Sequence, residues 1–289
     1  MKSLARFGAV FSAVAVLSAC AGIGAGRLPA VTTGTQTHTP GRIVWCDLLS
    51  DDVETASAFY GSLFGWEYVS FAQQPLFRVA YAGKRPVAGL TAHRSPEGSS
   101  MESLWVCSVS VDDVDETSAL AKAQGATLIE PPWDAAPRGR VAVIGDPLEA
   151  PLALIRTDSG DPSPRIPVGG WSWFDYFATD PDVARAFYEA VLGYRVADSS
   201  EDGRTAQLLG VGGETLRASI VDVGDLPIES NWLAYVRVND LAGTLSKVES
   251  LGGRVLLVVN DAAVIEDPSG AAIGLHGPWQ GEPAKGEPQ

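Results

Sequence analysis

Residues 45–66 read WCDLLSDDVETASAFYGSLFGW, and residues 173–194 read WFDYFATDPDVARAFYEAVLGY. Trp45/Trp173, Asp47/Asp175, Asp52/Asp180, Ala56/Ala184, Ala58/Ala186, Phe59/Phe187, Tyr60/Tyr188 and Gly65/Gly193 all pair at one constant offset. Shared residues at fixed spacing mark a duplicated structural unit. In each copy an alternating strand runs to a carboxylate, Asp52 or Asp180, placed to cap the helix that follows. Ala56, Phe59, Tyr60 and Leu63 then fall at i, i+3, i+4 and i+7, which gives that helix one apolar face. Gly65 or Gly193 closes it as a residue that tolerates a left-handed backbone.

Outward from these stretches the pattern is β-α-β-β-β. After strand 43–49 and helix 53–64 come strand-like runs near 66–71, 76–82 and 86–92, and the scheme restarts at SLWVCSVSVDDVDETSALAKAQGA. Residues 170–277 repeat the whole, with Trp105/Trp232, Val109/Val236, Asp113/Asp240 and Gly125/Gly252 at a second constant offset. The chain is thus read as α+β, four βαβββ modules forming two tandem domains, residues 42–157 and 170–277. A Pro/Gly/Ser/Asp linker, 158–169, joins them, and a Pro/Gly/Glu-rich tail, 278–289, reads as disordered. Too few helices separate the strands for a doubly wound parallel sheet. Each domain is expected as a curved mixed sheet around a cleft, with helices outside.

The 289-residue chain carries a formal charge of −14, and removal of Lys2 and Arg6 with the leader makes it −16. So acidic a surface argues against nucleic acid and against electrostatic attachment to anionic lipid. Residues 1–20 read as a secretory leader: a positive start, the apolar run GAVFSAVAVLSA, and Leu17-Ser18-Ala19-Cys20. That ending resembles the bacterial lipoprotein signal, in which the cysteine is lipidated. The expectation is a lipoprotein of the cell envelope, held to a membrane only through a lipid anchor on Cys20, with 21–41 as a flexible tether. After export two cysteines remain, Cys46 and Cys107. Two buried thiols are the expected state, with a cross-strand disulfide as the alternative.

The modules, each a strand, a capped helix with Phe-Tyr and Gly, and a closing Asp-Pro turn, resemble the vicinal-oxygen-chelate superfamily: glyoxalase I, extradiol dioxygenases and bleomycin-resistance proteins. Asp180–Tyr188, Val238-Asn-Asp240, Leu251-Gly-Gly253 and Asp267-Pro-Ser-Gly270 carry the resemblance most specifically. It implies glyoxalase-like domains over 43–276. Metal-using relatives hold a ligand on the first strand, fourteen residues before the Phe of the Phe-Tyr pair. Here that count lands on Trp45 and Trp173. Their last-strand glutamate corresponds to Ala153 and Gly274, and the strand between offers Val106 or Leu233. None of these ligates a divalent metal, so no cofactor is expected.

Strand alternation gives the cleft residues instead. In the second domain Trp173, Asp175, Tyr235, Arg237 and His276 share the cleft face; in the first, Trp45, Asp47, Ser108, Ser110 and Ala153 do. His93 carries little weight. Against a ligand role, the tryptophans can simply fill the clefts, the aspartates can pair with an arginine such as Arg237, and His276 can be solvated beside the tail. Arg237 is the first candidate to hold an anionic ligand. The leading functional expectation is metal-free binding of a small anionic or aromatic molecule between apolar walls. The alternatives are a metal-dependent lyase, isomerase or dioxygenase with displaced ligands such as Asp175 and His276, and a non-catalytic envelope scaffold. No phosphate loop, nucleophile elbow or H-E-x-x-H occurs.

Overall fold

The computed structural model describes residues 28–31, 35–71, 74–92, 103–199, 206–211, 214–224 and 226–278, with backbone only at 74–76, 196–199, 206–211 and 214–217. The Cys20 lipobox, His93 and the tail beyond 278 lie outside them. The first domain comprises β1 (Ile43–Ser50), α1 (Val53–Phe64), β2 (Glu67–Phe71), β3 (Gln74–Ala82), β4 (Arg85–Ala92), β5 (Leu104–Ser110), α2 (Val114–Ala123), β6 (Thr127–Asp134), β7 (Gly139–Gly145) and β8 (Pro151–Thr157). The second repeats it: β9 (Trp171–Ala178), α3 (Pro181–Leu192), β10 (Arg195–Ser199), β11 (Ala206–Val211), β12 (Glu214–Asp222), β13 (Asn231–Arg237), α4 (Leu241–Val248), β14 (Arg254–Val259), β15 (Ala262–Glu266) and β16 (Ala272–His276).

The helix starts follow local chemistry. Asp52, Asp113, Asp180 and Asp240 each accept from the amide three residues on, and Gly65 and Gly193 close α1 and α3 at φ 72° and 67°. Each domain is one eight-stranded mixed sheet, ordered β2-β3-β4-β1-β5-β8-β7-β6 and β10-β11-β12-β9-β13-β16-β15-β14. At each centre two antiparallel strands, β1/β5 or β9/β13, are flanked by parallel partners. Residues alternate between faces, so Cys46 and Leu48 of β1 point one way and Trp45, Asp47 and Leu49 the other.

The helices cover the face opposite each cleft, as expected, but those faces meet. One continuous core holds Phe59, Tyr60 and Trp105 of the first domain with Phe187, Tyr188 and Trp232 of the second. Across it the closing Asp-Pro turn of each domain receives the helix tyrosine of the other. Tyr60 Oη donates to Asp267 Oδ2 (3.0 Å) and Tyr188 Oη to Asp146 Oδ2 (2.8 Å). Each phenol also accepts an indole N–H, from Trp105 and Trp232 respectively. Buried polar groups at a helix-packed interface need such partners.

Parts of the segment expected as a tether, residues 28–31 and 35–41, make specific contacts with the folded domains. Thr37 O accepts from the Asp161 amide, Asp161 Oδ2 accepts from the Thr39 amide, and Thr35 Oγ1 donates to Asp161 O. The segment 35–39 is therefore strapped to the interdomain linker. Val31, at 1 % exposure, packs with Leu28 against the first sheet. Apolar side chains at these positions gain more by covering Trp45 and Phe77 than by staying in water. Cys46 and Cys107 are cross-strand partners, both buried and unbridged, with Sγ atoms 3.1 Å apart. Among the described residues no helix is long and apolar enough to cross a membrane.

Candidate functional site

Strands β1 and β9 each carry a tryptophan whose indole N–H donates to the aspartate two residues on. The distances are 3.0 Å for Trp45–Asp47 and 2.8 Å for Trp173–Asp175, both to Oδ1. Both residues of each pair stand on the face away from the helices, which is the cleft face. The repeated W-x-D is therefore a structural unit in which the indole fixes the carboxylate.

Around that unit the clefts differ. In the first, Arg138 reaches Asp47 with both terminal nitrogens, Nη1 to Oδ2 at 2.6 Å and Nη2 to Oδ1 at 3.3 Å. Its Nε donates to Pro29 O at 3.0 Å. The guanidinium carbon lies 5.4 Å from the Trp45 ring centroid and 5.5 Å from that of Phe77, within cation–π range. Asp47 lies over β4, where only glycine fits: a Cβ at Gly89 would be 1.9 Å from Asp47 Oδ1. Val31, Val79, Ala135, Val141 and Ile155 fill the rest. Trp45 is 1 % exposed. The first cleft is closed by its own chain.

In the second cleft, Ser219 stands at the position of Gly89 and donates to Asp175 Oδ1. Leu233, Tyr235 and Val264 form a buried floor with Trp173, Phe177 and Leu256 partly exposed beside it. Asp175 is also partly exposed. The His276 ring packs 5.0 Å from Tyr235 and 6.4 Å from Trp173, with Nδ1 3.4 Å from Ser172 Oγ. His276 is thus half-buried in the wall. Burial holds its pKa below the ordinary value, opposed by the charges of Asp261 and Asp175. The structure thus brings together four of the five residues expected in this cleft. Arg237, the expected anion holder, donates from Nη1 to the linker carbonyl of Ile166 at 3.4 Å.

The residue that sequence reading missed is Arg138. The expected arginine partner for an aspartate exists, but for Asp47, and it comes from the β6–β7 loop rather than a strand. The signal lay in loop length: Ala135-Ala-Pro-Arg138 connects β6 to β7, while only Asn260-Asp261 connects β14 to β15. Ser108 and Ser110 are buried, and Ala153 packs with Val106, Leu49 and Val143.

The positions that hold metal in relatives do not fit one here. Trp45, Val106 and Ala153, or Trp173, Leu233 and Gly274, offer no donor set. A Cβ at Gly274 would lie 2.2 Å from the Tyr235 ring, so that ring occupies the space a glutamate would need. Among the described residues no group of three or more His, Cys, Asp or Glu side chains is placed to hold a metal.

Comparison with known proteins agrees with this architecture. Residues 42–152 match the Glyoxalase/Bleomycin resistance protein/Dioxygenase superfamily and residues 172–276 a glyoxalase-like domain. The proposed glyoxylase CFP32 of Mycobacterium bovis is 29 % identical over 252 residues, covering 80 % of this chain and 92 % of that protein. The anthracycline biosynthesis protein DnrV of Streptomyces peucetius is 28 % identical over 269 residues, 85 % of this chain and 96 % of that one. Homoprotocatechuate 2,3-dioxygenase of Brevibacterium fuscum superposes with a TM-score of 0.60 at 14 % identity, covering 83 % of this chain and 72 % of that chain, a likeness of fold. With two such domains in tandem, the chain belongs to the glyoxalase/bleomycin resistance protein/dioxygenase superfamily.

Proposed function

We propose that the chain binds a small molecule in the second-domain cleft without the metal that its relatives place there. The observation that carries this reading is the difference between the clefts. Val31, Leu28 and the Asp47–Arg138 pair close the first. The second keeps Trp173, Asp175, Phe177 and His276 partly exposed around Tyr235. Apolar aromatic walls with a few polar groups suit a ligand of aromatic character. The name of the relative DnrV, from anthracycline biosynthesis, is consistent with a planar ring system as that ligand.

Metal analysis tests the metal-free half of the proposal. Mildly purified protein is expected to carry no stoichiometric Fe, Zn, Ni or Mn, and one equivalent of any of them overturns it. Thermal-shift screening of small aromatic compounds against wild type and Trp173→Ala tests the other half. Stabilisation is expected to disappear with the indole; hits that survive unchanged place the ligand elsewhere. A metal-dependent enzyme would have to draw on Asp175 and His276, too few donors for a tight site by themselves.

The attachment reading rests on Leu17-Ser18-Ala19-Cys20. With lipid on Cys20, the seven residues 21–27 precede the docked Leu28. They span at most about 25 Å, which would hold the closed first cleft near the membrane surface. Cys20→Ala is expected to release the protein from membranes; unchanged membrane association contradicts a lipid anchor.

A further inference from the structure

The two domains repeat the same indole–carboxylate unit, and the first supplies its own cation, Arg138. In the first, both oxygens of Asp47 are engaged: Oδ1 by Trp45 Nε1 and Arg138 Nη2, Oδ2 by Arg138 Nη1. The guanidinium is only 2 % exposed and lies over the faces of Trp45 and Phe77. This is how a cationic ligand is held in a protein: one charge-assisted carboxylate contact and aromatic surface against the flat faces. Arg138 is, in effect, a ligand group supplied by the chain.

In the second domain Trp173 Nε1 and Ser219 Oγ both donate to Asp175 Oδ1. Oδ2 receives no bond from any described residue, and among the described residues no lysine or arginine pairs with the carboxylate. The reason is visible in the topology. The loop that carries Arg138 is reduced to Asn260-Asp261 between β14 and β15. Serine at 219 fixes the carboxylate from below, as Gly89 allows Asp47 to settle, yet neither donor to Asp175 is charged. Asp175, partly exposed beside Tyr235, Phe177 and Leu233, is placed to accept a charge-assisted hydrogen bond. The net charge of −14 further draws cations to the protein.

We infer that the second cleft selects a cationic ligand, an aromatic molecule bearing an ammonium or guanidinium group, with Asp175 Oδ2 as the receptor for the positive head. This deepens the proposed small-molecule site and rests on that reading. It differs from the expectation of an anionic ligand held by Arg237. Asp175 would be a ligand-binding residue and Ser219 a positioning residue that aims it.

Three compounds with one ring system and different heads test the inference: 2-naphthylmethylammonium, 2-naphthylmethanol and 2-naphthoate, titrated calorimetrically into the full chain at low ionic strength. The ammonium is expected to bind about tenfold or more tighter than the alcohol, and the alcohol tighter than the carboxylate. Asp175→Asn should bring the ammonium down to the affinity of the alcohol while leaving the alcohol unchanged, and Ser219→Ala should reduce the preference by less. Raising salt should narrow the gap. If the alcohol binds in a Trp173-dependent way and the ammonium binds no better, the cation inference falls and the binding cleft stands. If none of the three binds the folded protein, both fall.

Discussion

The phenol of Tyr188, on α3 of the second domain, donates to Asp146 Oδ2 of the first at 2.8 Å. Tyr176 Oη donates to the same oxygen at 2.5 Å, and Oδ1 takes the amides of Leu148 and Ala150. The reciprocal bond runs from Tyr60 to Asp267. The Asp-Pro turns that mark each module in sequence are therefore clasps between domains as well as turns within them. Burial raises the pKa of both carboxyls, against the hydrogen bonds that lower it.

Tyr60→Phe should cost about 1–3 kcal/mol, because it strips Asp267 of a buried donor and leaves the Trp105 N–H without its acceptor. Tyr188→Phe should cost less, since Tyr176 continues to bond Asp146. Since one core spans both domains, calorimetry should show a single cooperative transition in wild type and in both variants. Two separated transitions in wild type would contradict the shared core.

Arg138→Ala should destabilise the protein by about 2–3 kcal/mol, leaving the part-buried Asp47 without its cation. Gly89→Ala should act through the same carboxylate, because its Cβ would stand 1.9 Å from Asp47 Oδ1. The double variant should be less destabilised than the sum of the two. Urea midpoints for the four proteins give the coupling, and strict additivity would show that Gly89 does not serve the Asp47–Arg138 pair.

How much of this was legible in sequence follows the range of each interaction. Asp52 and Gly65 bound α1 as expected because capping is decided within four residues. The face shared by Trp173 and Asp175 was legible because strands alternate. Arg138 was not, since it meets Asp47 across 91 residues and neither its loop nor its spacing repeats in the second domain. Residues 28–31 read as tether because nothing local states that Val31 will pack against Trp45. The mating of the helix faces was equally hidden, although the Asp-Pro residues that clasp them were already conspicuous as motif.

His276 gives a pH signature. Burial depresses its pKa from the ordinary 6.5, so the folded state prefers the neutral ring. Its contribution to stability is complete above about pH 6.5 and is lost as pH falls from there through the folded pKa. Wild type minus His276→Gln should therefore show stability decreasing on acidification below about pH 6.5. The raised carboxyls of Asp146 and Asp267 act in the opposite sense and cancel in this difference. A difference that grows on acidification would mean that the charged ring is the favoured form.

Gly274→Glu would restore the acidic residue that metal-using relatives carry, yet it should not create a metal site. Its Cβ would collide with the Tyr235 ring at 2.2 Å, costing about 1–3 kcal/mol and disturbing the cleft floor. Adding Tyr235→Ala should relieve the collision at the expense of that floor. Calorimetric zinc titration of Gly274→Glu with heat near the buffer control is the expected outcome; a stoichiometric site would show that one glutamate completes a latent donor set.

The proposed binding site is one of the two duplicated clefts, and it needs no metal. Calorimetric titration of 2-naphthylmethylammonium into the full chain, in the presence of EDTA, tests it directly. One site per chain is expected, with binding lost in Trp173→Ala. Two sites per chain, binding abolished by EDTA, or affinity unchanged in Trp173→Ala would contradict it.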